Sequence, residues 1–180
     1  MGKQSIRGIT VEWLTGDIAN QPDMDIVVNA ANAELGTGGG VAGALHRAAG
    51  PGLEEECGEL GPIKPGEAVI TSAHGLPNRY VVHCLGPVYG RDIPEESLLT
   101  SCYRRALQLA DDTRLSSIAF PAISSGAFGY PPDDAARVAV QAVLAALPKL
   151  KFIRHVRFVL FSDTDLQRYE RLLGGKVPAS

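Results

Sequence analysis

Apolar and polar positions along the 180-residue chain switch repeatedly between two periods. From Ile6 to Trp13 they alternate, with Ile9, Val11 and Trp13 set against Thr10 and Glu12, which predicts one half-exposed strand. Asp25–Asn29 and Ile118–Ile123 are nearly unbroken apolar runs, the pattern of strands covered on both faces. Ala68–Ser72 and Tyr80–Leu85 read as two more strands joined by the turn-rich His74-Gly75-Leu76-Pro77-Asn78, and Val156–Phe161 reads as the last. Helical spacing occupies Val41–Ala49, Gly52–Glu59, Glu95–Asp111, Asp133–Leu147 and Asp165–Leu173. In the fourth helix Ala135, Val138, Ala139, Ala142, Val143 and Ala146 form a narrow stripe of small residues suited to close packing on a sheet; Leu99, Cys102, Tyr103, Ala106 and Ala110 do the same in the third. Strands alternating with helices, plus one adjacent strand pair, predict an α/β fold: a three-layer α/β/α sandwich around a mixed central sheet. No repeat or linker interrupts it, so residues 1–180 are expected to form a single domain with its core over about 5–173 and a tail at 174–180.

Composition narrows the function classes. The chain is 45% apolar and 21% charged, with a net charge of −3, which argues against an extended nucleic-acid groove or an anionic membrane as the main partner. An anionic ligand must therefore be held by local dipoles. Cys57, Cys84 and Cys102 form no C-x-x-C pair and read as reduced thiols of a cytoplasmic protein. His46, His74, His83 and His155 lack metal-ligand spacing, so neither a metal nor another cofactor is expected. No run reaches the roughly 18 apolar residues of a membrane span.

The candidate chemistry lies in two glycine-rich loops, each following a predicted strand and preceding a predicted helix. One is Gly36-Thr37-Gly38-Gly39-Gly40 before Val41; the other is Ser124-Ser125-Gly126-Ala127-Phe128-Gly129-Tyr130 before Pro131-Pro132. Glycine lets backbone N–H groups converge on an anion, and each following helix is expected to point its positive end at the same place. Two such loops suggest a ligand with more than one phosphate, gripped from both sides. Neither loop is followed by the lysine of a P-loop. Gly38-Gly39-Gly40-Val41-Ala42-Gly43 matches G-x-G-x-x-G, but a dinucleotide fingerprint follows its strand immediately, and here a long segment separates Asn29 from Gly38. Asn29 and Asn32 carry amides that donate and accept, as ribose hydroxyls do; their alternative role is to stabilise the loop through Asx turns, the reading favoured for Asn29.

Asn29-Ala30-Ala31-Asn32, Gly38-Gly39-Gly40-Val41, His46-Arg47-Ala48-Ala49-Gly50 and Ser125-Gly126-Ala127-Phe128-Gly129-Tyr130-Pro131 resemble the macro domain. Within that family they are most similar to the bacterial O-acetyl-ADP-ribose deacetylases and ADP-ribosyl hydrolases. Gly16-Asp17-Ile18 and Phe161-Ser162-Asp163 fall where the family has matching motifs. The resemblance implies an ADP-ribose site. In it Asp17 accepts from the adenine amino group, with capping of its own Gly-Asp-Ile-Ala turn as its alternative role, and Ile18 adds a backbone contact. Phe161 stacks on the adenine, with strand-end core as its alternative role. Amides of Gly38, Gly39, Gly40 and Val41, and of Ser125, Gly126, Ala127 and Phe128, hold the diphosphate. Phe128 and Asn32 position the distal ribose. Asp133 and Asp134 are expected to face solvent.

One departure matters. The family branch carries an aspartate, usually assigned to activate water, where this chain has Ala42, and a glycine where it has Thr37. Three alternatives follow. Asn32 and a substrate phosphate oxygen can hold the water; His46, one turn after Ala42, can supply the base; or the chain binds without cleaving. General-base assistance contributes about 10²–10⁴-fold, so its loss slows turnover without abolishing it. The resemblance therefore implies a slow hydrolase of O-acetyl-ADP-ribose or of ADP-ribosylated carboxylates. A non-catalytic ADP-ribose reader and an ADP-ribose 1″-phosphate phosphatase are the alternatives.

Overall fold

A computed structural model describes residues 1–174; the rest of the expected tail, 175–180, lies outside the described residues. In chain order the elements are β1 (Gly2–Ile6), β2 (Ile9–Thr15), β3 (Ile26–Ala30), α1 (Gly40–Ala49), α2 (Pro51–Leu60), β4 (Ala68–Ser72), β5 (Tyr80–Cys84), α3 (Glu95–Asp112), β6 (Ser117–Phe120), α4 (Pro132–Ala146), β7 (His155–Leu160) and α5 (Asp163–Leu173). They build a seven-stranded sheet in the order β1-β2-β7-β6-β3-β5-β4. The two edge pairs, β1/β2 and β4/β5, are antiparallel, and the pairs between them are parallel. This is the mixed α/β/α sandwich that the periodicity predicts.

The first strand differs from expectation. Ile6–Trp13 is not continuous: Arg7 and Gly8 (φ 52° and 78°) form a two-residue turn, and Ile6 pairs with Ile9. Left-handed backbone at both central positions matches the twist of an antiparallel hairpin. The preceding strand carries Lys3, Gln4 and Ser5 at the sheet edge, where no apolar pattern is required.

Alternation along the central strands feeds both sides of the sheet. Ile26, Val28, Ile118, Phe120, Val156, Phe158 and Leu160 pack with α3, α4 and α5. Val27, Ala31, Val81, Ala119 and Val159 pack with Leu45, Ala49, Leu53 and Cys57 of α1 and α2. The two faces take different amounts of side chain: the α3–α5 side stacks Tyr103, Phe120, Phe158 and Tyr169 in one aromatic row.

The α1/α2 side also buries polar groups. Asn29 Nδ2 donates to His83 Nδ1 (3.0 Å) on the neighbouring strand, which leaves the His83 Nε2–H to donate to Thr71 Oγ1 (2.9 Å). Asn29 is thus inside the sheet layer rather than in an Asx turn. Burial pushes the His83 imidazole down to about 3 and also lowers His46, which is buried on α1. A base whose folded pKa is depressed contributes full stability above its ordinary value and loses it as pH falls. Urea denaturation should therefore show His83 costing about 2 kcal/mol between pH 7 and pH 5. A flat profile across that window would contradict the buried neutral histidine.

Candidate functional site

A cleft of about 1060 Å³ opens at the carboxyl ends of the parallel strands. Gly16, Asp17 and Ile18 line it from the end of β2, and Phe161 from the end of β7. Residues 121–128 line it after β6, and Ala30–Asn32 with Gly39–Ala42 after β3. Because those strands stand in the order β2-β7-β6-β3, the four groups are laid out along the cleft in the same sequence. Open α/β sheets bind ligands at this edge.

Two backbone walls face each other across the middle. α1 starts at Gly39 with no side-chain cap and no acidic residue in its first turn. Its first internal bond runs from Gly43 N to Gly39 O (3.1 Å), so Gly40, Val41 and Ala42 keep free N–H groups among the described residues. On the other wall Tyr130 N donates to Ser124 O (2.9 Å) and Gly129 N to Gly126 O (3.0 Å). These bonds fold the loop and leave the amides of residues 125–128 unpaired among the described residues.

The glycines differ in what demands them. Gly38 and Gly40 sit at φ 56°, and a Cβ on Gly38 would lie 2.9 Å from Asn32 Nδ2, so the fold itself requires both. Gly39 has φ −110°, and a Cβ there meets nothing within 4 Å; Gly126 is equally open. Gly39 also caps α1, where glycine is favoured, but no contact of the fold excludes a side chain at either position, one on each wall.

At the β2/β7 end Asp17 Oδ1 accepts from Ala19 N (2.9 Å), capping its own turn, while Oδ2 has no partner among the described residues. The turn is braced from below: Gln21 Nε2 donates to Asp17 O (2.9 Å), and Arg157 Nη1 donates to Gln21 Oε1 (2.8 Å). Ile18 is buried. Phe161 is 96% exposed, so it does not close the strand-end core; its ring stands free at the cleft edge.

At the β3 end Asn32 lines the cleft and also closes its own loop, Nδ2 donating to Gly36 O (3.2 Å) and Oδ1 accepting from Gly36 N (2.9 Å). An amide has two donors and two lone pairs, so half its capacity stays free for a ligand. Phe128 is half-buried and lines the same space. Ala42 lines it too. His46 does not: it is buried in the same α1 stripe as Ala42, and neither ring nitrogen has a partner among the described residues. The geometry withdraws it as a base.

The lining residues given no individual role from sequence include Arg47, Asp165, Gly86 and Ser124. Arg47 is the only cation lining the cleft among the described residues; its Nη1 lies 3.0 Å from where a Cβ on Gly43 would stand, beside the Gly38 carbonyl. Its place one turn beyond Gly43 was a legible signal. The expected contribution of α4 fails. That helix begins only after Tyr130 has turned into the core against Tyr89, and its first turn carries Asp133 and Asp134 on solvent, with Arg168 bound to Asp133 (2.7 Å).

A second hollow of about 420 Å³ lies beside Asp111, whose carboxylate is already occupied by the amides of Lys151, Phe152 and Ile153. No helix among the described residues is long and apolar enough to cross a membrane.

The model of the Macro domain family matches residues 28–139. The chain is 46% identical over 167 residues to an O-acetyl-ADP-ribose deacetylase of Klebsiella pneumoniae, covering 90% of this chain and 95% of that one. A macro domain-containing protein of Methanosarcina mazei is 46% identical over 159 residues, or 88% and 84% of the two chains. Among solved structures, the Oceanobacillus iheyensis macrodomain with ADP superposes with a TM-score of 0.91 at 40% identity, covering 96% and 94%. The Trypanosoma brucei macrodomain in complex with ADP-ribose gives 0.84 at 37%, covering 91% and 69%. The chain belongs to the macro domain family.

Proposed function

We propose that the cleft binds ADP-ribose and that the protein hydrolyses esters at its distal ribose, with O-acetyl-ADP-ribose as the leading substrate. The observation that carries this reading is the pair of glycines, Gly39 and Gly126, at which the fold leaves open space for a side chain that neither carries. Bare backbone on both walls, with unpaired amides beside it, suits a diphosphate that must approach within hydrogen-bond distance.

The order of groups along the cleft sets the ligand's direction. Asp17 Oδ2 accepts from the adenine 6-amino group, where guanine would present a carbonyl, and Phe161 covers the ring. The α1 amides and those of residues 125–128 hold the diphosphate. Asn32 and Phe128 hold the distal ribose at the β3 end. The named deacetylase relatives and the ADP-ribose complex of the T. brucei macrodomain support both ligand and reaction.

Water attacks the ester carbonyl, and the alcohol oxygen of the ribose leaves with a proton. Among the described residues lining the β3 end there is no carboxylate or imidazole, since Ala42 stands where the family branch has an acid and His46 is not part of the lining. Deprotonation of the water then falls to a substrate phosphate oxygen, with Asn32 orienting the water. Incubation with O-acetyl-ADP-ribose tests this: acetate release that disappears in Asn32→Ala supports the enzyme. Tight binding without release supports the reader role, which the absent carboxylate favours.

Ala42→Asp places a carboxylate in the first turn of α1, where the helix dipole stabilises it. Its kcat for O-acetyl-ADP-ribose is expected to rise about 10²-fold, the lower range of general-base assistance. An unchanged kcat would mean that water activation does not limit the reaction.

A further inference from the structure

The end of the molecule opposite the cleft carries cations that the fold does not use. The hollow of about 420 Å³ lies at the amino ends of β6 and β7, between the last turn of α3, Arg114 and the segment leading from α4 into β7. Arg114, Lys149 and Lys151 stand exposed around it and enter no ion pair among the described residues. Its two carboxylates are engaged from within: Asp111 accepts from the amides of Lys151, Phe152 and Ile153, and Asp112 Oδ1 from Gln108 Nε2 (2.9 Å). The end of α3 is closed without the cations, Thr113 Oγ1 donating to Ala110 O (2.6 Å) and Arg114 N to Asp111 O (3.0 Å). Three positive charges are thus left for a ligand, in a chain whose net charge is −3.

Phe152 stands among them 40% exposed, although Ile153 beside it is fully buried. The segment is pinned along both edges. Asp111 holds its amides, and Arg154 holds its carbonyls, Nη2 donating to Lys151 O (2.9 Å) and Nη1 to Ile153 O (3.0 Å). Arg114, at φ 65°, sets its guanidinium 5.6 Å from the centre of the Phe152 ring. A fixed aromatic ring and a guanidinium plane therefore lie together, the two kinds of surface on which nucleobases stack, with two lysines in the same hollow. The volume falls at the small end of ligand pockets, enough for one nucleotide and not for the track of a strand.

We propose that this hollow binds one nucleotide unit, its base stacked on Phe152 beside Arg114 and its phosphate held by Lys149 and Lys151. A free nucleoside monophosphate and one residue of a single-stranded nucleic acid present the same chemistry here. Stacking selects a planar base and not a sequence. The inference stands apart from the ADP-ribose reading, because the cleft opens at the other ends of the same strands.

Thymidine 5′-monophosphate and a thymidylate decamer are the probes, since neither offers the adenine that the cleft is proposed to read. Each is titrated calorimetrically into the wild-type chain, Phe152→Ala, Phe152→Trp and the double variant Lys149→Gln/Lys151→Gln, at about 50 and about 200 mM salt. The wild type should bind saturably and more weakly at the higher salt. Phe152→Ala should weaken binding about tenfold and leave the salt dependence unchanged, and Phe152→Trp should retain it. The lysine pair should weaken binding and lower the slope of log affinity against log salt by about 1.4. All variants should melt with the wild type, because the substituted side chains are exposed. Binding of both probes makes the free nucleotide sufficient; binding of the decamer alone assigns the hollow to a single strand. No saturable binding of either probe overturns the proposal. So does binding that survives Phe152→Ala unchanged, which charge attraction alone would explain, or binding that the lysine pair does not affect.

Discussion

Gly39→Val is expected to weaken ADP-ribose binding at least 10²-fold while the unliganded protein melts within a few degrees of the wild type. The backbone of Gly39 at φ −110° is open to any residue, and its Cβ position is empty space. The cost to the fold is confined to a poorer helix N-terminus, about 1 kcal/mol, partly offset by a less flexible unfolded chain. The ligand pays far more. A branched side chain there stands where the diphosphate must approach the α1 amides, and losing two hydrogen bonds to a charged group costs about 3–6 kcal/mol. Gly126→Val tests the opposite wall in the same way. Gly38→Ala is the contrasting control: at φ 56° and against Asn32 Nδ2 it should destabilise the protein itself. Equal loss of stability in Gly39→Val and Gly38→Ala, followed by differential scanning calorimetry, would make both glycines structural.

Arg157→Met is expected to remove about 3–5 kcal/mol of stability, the cost of leaving a buried ion pair without one partner. Arg157 is 7% exposed and uses its whole guanidinium: Nε donates to Glu12 (2.7 Å), Nη1 to Gln21 (2.8 Å) and Asp23 (2.8 Å), and Nη2 to Asp23 (2.7 Å). Asp23 is largely exposed and contributes little; Glu12, with 17% of its side chain exposed, is the group left with His155 as its one remaining partner. Burial alone would raise the Glu12 pKa, but its bonds to Arg157 and His155 outweigh that and hold it below the ordinary value. The Arg157 bond pulls Asp23 down to about 2. Carboxylates depressed in the folded state stabilise it above their ordinary pKa and lose that contribution as pH falls through the folded value. The wild type should therefore show an acid slope between roughly pH 4.5 and 2 that Arg157→Met lacks, readable in urea midpoints. Because Gln21 links Arg157 to the Asp17 turn, the variant should also bind adenine ligands more weakly at a temperature where it is still folded. A stable variant with an unchanged acid slope would contradict the role given to this pair.

The central strands β3 and β6 were legible because each is covered on both faces and so written as a nearly unbroken apolar run, Ile26–Val28 and Ile118–Phe120. β1 was not, because an edge strand needs no apolar residues and the Arg7-Gly8 turn is visible only in its dihedrals. The two backbone walls were legible because glycine itself marks them. His46 was misleading through its spacing from Ala42, yet Ala42, Leu45, His46 and Ala49 together form the buried stripe of α1, which sequence periodicity contains. Asn29 shares its strand face with Val27 and Ala31, and that alternation places it in the core. The hollow beside Phe152 is of another kind. Arg114 and Phe152 are remote in sequence and meet where Asp111 pins residues 151–153, a long-range contact that no residue pattern encodes.

Titration of the wild-type chain with ADP-ribose and with adenosine in parallel bears most directly on the two amide walls. Saturable one-to-one binding of ADP-ribose, at least 10²-fold tighter than adenosine, is the result that a backbone grip on the diphosphate predicts. Equal affinity for the two ligands, or no heat from ADP-ribose, would contradict it.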